Sequence, residues 1–236
     1  MQLEKQIAKR SKVHTIYKLK DGTKVPGVTT VLGVMNKPAL MNWAWQLGTQ
    51  GIDYKHYVDA TARIGTLAHE MIQEYLGGPD WDRTAYTPEE IDTAENAVIS
   101  FYEWERSSGS KMITHSIELP LVSEIFCFGG TIDWYGDIDG RKWLVDIKTS
   151  KGLYPEHEYQ VAAYCRLLRE VGMQVDGVRL LRVGRTADEG FDDHVLSDVQ
   201  IEAGWSVFKS ALSLYKEMQN YDRGRKQGFS TIKEVA

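Results

Sequence analysis

Two side chains able to do chemistry stand two residues apart in the run Leu144 to Lys148, LVDIK: Asp146 and Lys148. An apolar run of this length reads as a strand, where alternate residues share a face, so the carboxylate and the ammonium project from the same side. A lone charge buried there is costly, so either the face is wet or the pair has work to do. Just upstream, Asp139-Gly140 is the preferred chemistry for a two-residue hairpin turn. Counting outward from Ile138 facing Arg141, Asp133 faces Asp146 across the hairpin, with Cβ atoms roughly 4.5 to 5.5 Å apart. The same register sets Ile132 against Ile147 on the opposite, core-facing side. A four-residue loop closed by Asp137 and Lys142 keeps this pairing, whereas a bulge breaks it. Like charges so placed repel, and a proton or a cation between them relieves the repulsion. Two hard oxygen donors side by side suit Mg²⁺ or Mn²⁺. Lys148 then projects beside that ion, where an ammonium can position or activate a water against a phosphate. A lone D-x-K is more commonly a solvated edge-strand ion pair. The aligned Asp133 weighs against that bland alternative.

The elements that position these residues follow from periodicity. Asp21-Gly22 is a second two-residue turn signal and predicts a hairpin over HTIYKLKDGTKVPGV. The runs NKPALMNWAWQLG and DYKHYVDATARIGTLAHEMIQEYLGG carry apolar residues at spacings of three and four and predict helices, with Gly77-Gly78 as a stop. Thr87-Pro88-Glu89-Glu90 forms a capping box that opens a helix running to about Arg106 and ending near Gly109. Strands are predicted in KMITHSIELPLVS, in FCFGGTIDWYGDIDGRKWLVDIKTS, and later in GVRLLRVGR and GFDDHVLS. Between them lies a helix over Pro155 to Val171, stopped by Gly172. A last helix starts at Ser197, boxed by Gln200, with Ile201, Trp205, Phe208, Leu212 and Tyr215 on one face. The expected fold class is α/β (α+β): a central mixed sheet that starts with an antiparallel hairpin and is flanked by helices.

A chain of 236 residues can bury a sizeable core and suits one large domain. Its net charge of -5 gives no whole-chain signature of nucleic-acid binding, yet leaves room for a local basic groove. Cys127 and Cys165 lie far apart, in runs that read as core strand and core helix, and are expected to be reduced thiols. The first fourteen residues contain no apolar leader-like stretch, and no run approaches the ~20 apolar residues of a membrane span. A soluble protein of the bacterial or phage-infected host cytoplasm is therefore expected.

Gly130-Thr131-Ile132-Asp133, then Asp146-Ile147-Lys148, then Gln160-x-x-x-Tyr164 on the next helix, resemble the motifs of the PD-(D/E)XK nuclease superfamily. Within it they are most similar to the RecB-type exonuclease branch. That branch also carries a histidine on a helix before the sheet, which RIGTLAHEMIQEYL with His69 fits, as does the early PGVTTVLGVMNKPALMNWA. The resemblance covers roughly Val25 to Tyr164, with the motifs in order. D-x-K alone is weak; the ordered set is specific. There are departures: Ile132 stands where the motif has proline, Asp146 where many members have glutamate, and the four-cysteine cluster of some relatives is missing. No iron-sulphur cluster is therefore expected, and the lack of G-x-x-x-x-G-K-[ST] excludes a nucleotide-driven motor in this chain.

The resemblance implies metal-dependent hydrolysis of DNA phosphodiester bonds that leaves 5′-phosphates. His69, Asp133, Asp146 and the main-chain carbonyl of Ile147 would hold one or two Mg²⁺ or Mn²⁺ ions, and Lys148 would orient and help deprotonate the attacking water. Gln160 and Tyr164 would hold the DNA strand. It further implies a stand-alone exonuclease of DNA recombination, repair or end processing, phage-encoded forms included, with a recombination or single-strand-binding protein as a conceivable partner. A structure-specific or flap endonuclease, and a non-catalytic DNA-binding module that kept the fold, are the alternatives. The implied layout is a single nuclease domain over 1–236: a hairpin and helical part over 1–110 carrying His69, a catalytic core over 111–220, and a loosely ordered tail over 221–236.

Several further residues have two readings each. Arg63 could meet a phosphate, though a surface arginine is the commoner case. Thr149 and Ser150 could contact phosphate or cap the turn. Glu118 could be a further acid beside the metal or an exposed strand glutamate. Gly65, one turn before His69, would leave open space on that helix face. Trp43, Trp45 and WDRTAY could stack on unpaired bases, with packing the favoured reading. The other five histidines show no metal-ligand spacing.

Overall fold

The Asp139-Gly140 turn is where the sheet takes its register. A computed structural model describes residues 15–35 and 38–226, and in it both turn residues have positive φ, 51° and 78°. That is the type I′ geometry a tight right-twisted hairpin needs. β4 (Phe128–Ile138) and β5 (Arg141–Lys148) pair antiparallel from Ile138↔Arg141 out to Trp134↔Val145, in the register the turn dictates. β3 (Met112–Ser123) pairs antiparallel on the far side of β4. A crossover through α5 (Pro155–Glu170) returns the chain as β6 (Gly177–Val183), parallel to β5, and β7 (Phe191–Leu196) closes the sheet antiparallel. The order is therefore β3-β4-β5-β6-β7, a mixed sheet built on an antiparallel hairpin, as expected.

Helices cover both faces. On one side α1 (Val28–Leu32), α5 and α6 (Asp198–Lys226) bury Phe128, Ile132, Leu144, Leu180, Trp205 and Phe208. On the other, α3 (Tyr54–Tyr75) and α4 (Pro88–Ser108) bury Trp134, Trp143, Val145, Ile147 and Leu181 against Leu67, Ile72, Phe101 and Trp104. The Thr87 capping box forms in full, and Gly109 ends α4 in the left-handed conformation. α2 (Pro38–Thr49) packs on the start of α3 through Trp43, whose ring meets those of Tyr54 and Tyr57 edge-on at 5.4 and 5.7 Å.

Four expectations are corrected. Ile132 and Ile147 do not share a core side: they sit in the two clusters on opposite faces of the sheet. Asp21-Gly22 lies in a three-residue loop, Lys20 to Gly22, because Leu19 N–H donates to Thr23 O and Gly22 N–H to Leu19 O, both at 2.9 Å. That loop joins β1 (Tyr17–Lys18) to β2 (Lys24–Val25). Cys127 is not in a strand but in the β3–β4 turn with φ 56°. The tail expected from residue 221 is helical through Lys226; its remainder, like the basic first fourteen residues, lies outside the described residues. α1 escaped sequence reading because its Val-Thr-Thr-Val run is β-branched throughout and lacks helical periodicity.

The turn chemistry is testable. Gly140→Ala places a side chain at φ 78° and should lower stability by about 1 kcal/mol in denaturant melts.

Candidate active site

The side chains converge where the sheet loses its regularity. In β3 and β4 the facing pair Ile117↔Trp134 packs toward α3 and α4, whereas the next facing pair of the ladder, Leu119↔Ile132, packs toward α5 and α6. The two strands thus exchange faces between these pairs, at Glu118 and Asp133, and Glu118 pays for the twist with a φ of 48°. β4 and β5 stop pairing at Trp134↔Val145. One step on, Asp133 turns its side chain into the gap: its Oδ2 accepts the main-chain N–H of Ile147 at 2.9 Å. A carboxylate here replaces a ladder carbonyl, so the splay leaves no orphaned donor.

Asp146 follows on β5 and is fully buried. Burial pushes its carboxyl up to about 6; the neighbouring Asp133 charge acts the same way, while Lys148 and His69 oppose it. Lys148 Nζ lies 2.8 Å from Asp146 Oδ2, an ion pair without hydrogen-bond alignment, and that oxygen has no hydrogen-bond partner. The same ammonium donates to Gln160 Oε1 at 3.0 Å. Gln160 Nε2 in turn donates to Tyr164 Oη at 2.8 Å and reaches Asp146 Oδ1 at 3.4 Å. His69, on α3, brings Nδ1 to 3.8 Å from Asp133 Oδ2.

His69, Asp133, Asp146, Lys148, Gln160 and Tyr164 are thus brought together. Gln160 and Tyr164 are buried, 9% and 5% exposed; Gln160 holds Lys148 and Tyr164 holds Gln160. Burial drives the Tyr164 hydroxyl well above its usual pKa, with the Asp146 and Asp133 carboxylates adding to it. Gly130 makes this possible, since a Cβ there would stand 2.5 Å from the Tyr164 ring.

The remaining candidates have partners of their own within the fold. Arg63 is consumed by Glu90 and the Ala85 carbonyl and covers the Tyr86 ring at 4.6 Å. Ser150 Oγ caps its own turn on Gly152 O at 2.7 Å. Gly65 does not open space: Thr149 Oγ1 fills it, 2.7 Å from where a Cβ would be. Glu118 accepts Gln73 Nε2 at 2.6 Å and lines a cleft of about 300 Å³ with Glu70, Trp81 and Tyr86. Trp43 and Trp81 are packed, whereas Trp45 is exposed. Two residues that sequence reading missed are Tyr17 and Thr131, whose hydroxyls meet at 2.8 Å beside Asp133. Thr131 stands two residues before Asp133, a signal that was available.

Among the described residues no three His, Cys, Asp or Glu side chains are already gathered as a metal cage. The donor chemistry nevertheless fits a divalent ion: one imidazole and two carboxylates, of which Asp146 keeps a buried oxygen with no hydrogen-bond donor. Ile147 stands between Asp146 and Lys148, and its main-chain N–H is already used by Asp133.

No family model matches the sequence, and no curated protein matches it. Among solved structures it is similar to a protein from Eubacterium rectale described as a "Putative exonuclease", at 11% identity and a TM-score of 0.47, covering 66% of this chain and 68% of that one. It is also similar to an alkaline exonuclease, LHK-Exo, from Laribacter hongkongensis, at 15% identity and a TM-score of 0.32, over 70% and 91% of the two chains. The same enzyme in complex with dAMP gives a TM-score of 0.37 at 15% identity, over 70% and 86%.

Two measurements test this site. Asp146 has a folded pKa near 6 against an ordinary 3.8, so its contribution to stability is lost as pH rises through that window. In chelator at pH 8, Asp146→Asn should be more stable than the parent by about 2 to 3 kcal/mol, a gap that shrinks by pH 5. Arg63→Ala should cost about 1 to 3 kcal/mol in stability and leave the rate of any DNA cleavage by the folded protein unchanged.

Proposed function

We propose that this chain is a metal-dependent deoxyribonuclease of the PD-(D/E)XK type, acting as an exonuclease on DNA ends. The observation that carries this reading is the fully buried Asp146, paired with Lys148 at 2.8 Å beside Asp133 and His69. A structural protein has little reason to keep a carboxylate where burial pushes its pKa to about 6. The arrangement makes sense if the cost is repaid on binding a cation.

His69, Asp133, Asp146 and the Ile147 carbonyl would hold Mg²⁺ or Mn²⁺. The bound ion would supply neutralisation of charge developing on the phosphate and on the leaving 3′ oxygen. Lys148, held in place by Gln160, whose own amide is fixed by Tyr164, would orient the attacking water and, as a cation, favour its deprotonation to solvent by stabilising the hydroxide. In-line attack with the 3′ oxygen leaving gives a 5′-phosphate. The relay also explains why a long, flexible lysine can serve: two contacts fix its ammonium before substrate arrives.

An enzyme of this kind would act in recombination, repair or end processing, where free DNA ends are resected. End-labelled linear DNA with Mg²⁺ or Mn²⁺ tests it: Asp146→Ala and Lys148→Ala should each lower the cleavage rate by at least about 100-fold. Parent activity no greater than theirs sinks the proposal. Closed circular DNA should survive, and its degradation would replace the exonuclease reading by an endonuclease one.

A further inference from the structure

The acidic site sits in a chain of net charge -5, so a polyanion approaching Asp133 and Asp146 meets repulsion unless cations line its path. Two cations of the candidate site are already committed: Lys148 to Asp146 and Gln160, Arg63 to Glu90 and Ala85. The β1–β2 hairpin is different. Lys18 and Lys24 face each other directly across its two strands, and both are exposed. Neither has an ion-pair partner among the described residues. Like charges directly opposed across a ribbon are destabilising, and a two-stranded hairpin has little stability of its own to offset that.

This hairpin is seated firmly beside the acids. The Tyr17 ring lies flush on Gly129, where a Cβ would come within 2.3 Å of it, and Tyr17 Oη meets Thr131 Oγ1 at 2.8 Å. Gly129 N–H donates to Pro26 O at 2.9 Å, and Lys20 N–H to Glu124 Oε1 at 2.9 Å. Thr131 is two residues from Asp133, roughly 7 Å along the strand. Since Tyr17 packs inward, the alternation of β1 sets Lys18 on the solvent side, with Lys24 opposite it.

We propose that the β1–β2 hairpin is a docking lip for the DNA phosphate backbone, with Lys18 and Lys24 straddling it beside the acidic site. The inference rests on the nuclease reading for its substrate. An anion between the two ammonium groups relieves their repulsion, so the pair that weakens the free hairpin becomes an asset in the complex. The lip supplies affinity and orientation and carries no base specificity.

Binding rather than cleavage tests it: fluorescence anisotropy of a labelled DNA duplex with the full chain, Ca²⁺ in place of Mg²⁺, over a salt series. Lys18→Ala/Lys24→Ala should weaken binding about tenfold at low salt and flatten the plot of log affinity against log salt by about two units, one for each lost phosphate contact. Lys111→Ala, at the far start of β3, should change neither. Lys24→Glu turns the like pair into an attractive one, so it should melt no lower than the parent yet bind DNA less well; a merely structural lysine would not separate the two readouts. Lys18→Arg/Lys24→Arg should keep the parental slope. An unchanged slope in the alanine pair, an equal loss in Lys111→Ala, or no DNA binding by the parent overturns the lip. DNA binding that depends on these lysines without any cleavage in Mg²⁺ overturns the nuclease reading alone.

Discussion

The charge of Asp146 is the constraint around which the rest is arranged. A carboxylate with no exposed surface needs compensation, and an isolated ionised group there would be disfavoured by several kcal/mol. The protein supplies partial compensation only: one ammonium at ion-pair distance and one long contact from Gln160. The shortfall appears as the raised carboxyl pKa. Full compensation by hydrogen bonds would have made Asp146 inert, whereas none would have protonated it at every working pH. The intermediate state leaves an oxygen available to a cation, with the lysine already at hand.

That partial compensation depends on the sheet being irregular at one place. Were β4 and β5 paired through Asp133 and Asp146, both carboxylates would stand on one face with main-chain hydrogen bonds between the strands. Instead the ladder ends at Trp134↔Val145 and Asp133 itself receives the Ile147 N–H. The exchange of faces at Glu118 and Asp133 lets both sides of the sheet be packed with aromatic side chains while the acids sit between the two cores. Positive φ at Glu118 is the local expense of that arrangement, and strain of this kind concentrates at functional sites.

How much of this was legible follows from which interactions are local. Turn chemistry at Asp139-Gly140 fixed the hairpin register, and capping at Thr87 fixed a helix start, because each involves residues within a few positions of one another. The strands, the crossover helix and the meeting of Asp146 with Lys148 came from period and spacing alone. What escaped was set by contacts distant in sequence. Nothing near Glu118 or Asp133 signals that two strands change faces there, so register alone sets Ile132 and Ile147 on one core side when each is buried in a different core. For Arg63 the sequence leaves two readings open because Glu90 and Ala85, some two dozen residues away, are invisible to periodicity. Tyr164 shows the same limit from the other direction: a tyrosine four residues from Gln160 is plainly on its helix face, yet only Gly130 on the neighbouring strand decides that the ring goes inward.

Glycine is the residue by which distant elements set the dimensions of this site. Three of them work at different distances from the acids. Gly130 admits the Tyr164 ring under the strand, Gly129 admits Tyr17 over it, and Gly65 lets Thr149 press against α3 one turn before His69. At each position a single methyl would meet a side-chain atom at 2.3 to 2.7 Å, closer than packing tolerates, so neighbouring elements would have to move apart. Those movements differ in consequence. Displacing Tyr17 shifts the hairpin and leaves the lysine relay intact, whereas displacing Tyr164 releases Gln160 and with it Lys148. Displacing α3 moves His69 relative to Asp133, now 3.8 Å apart, and so acts on the donor set itself. The precision of the charge arrangement around Asp146 is thus delegated to positions with no side chain, where the backbone is approached closely from outside the strand or helix that bears it.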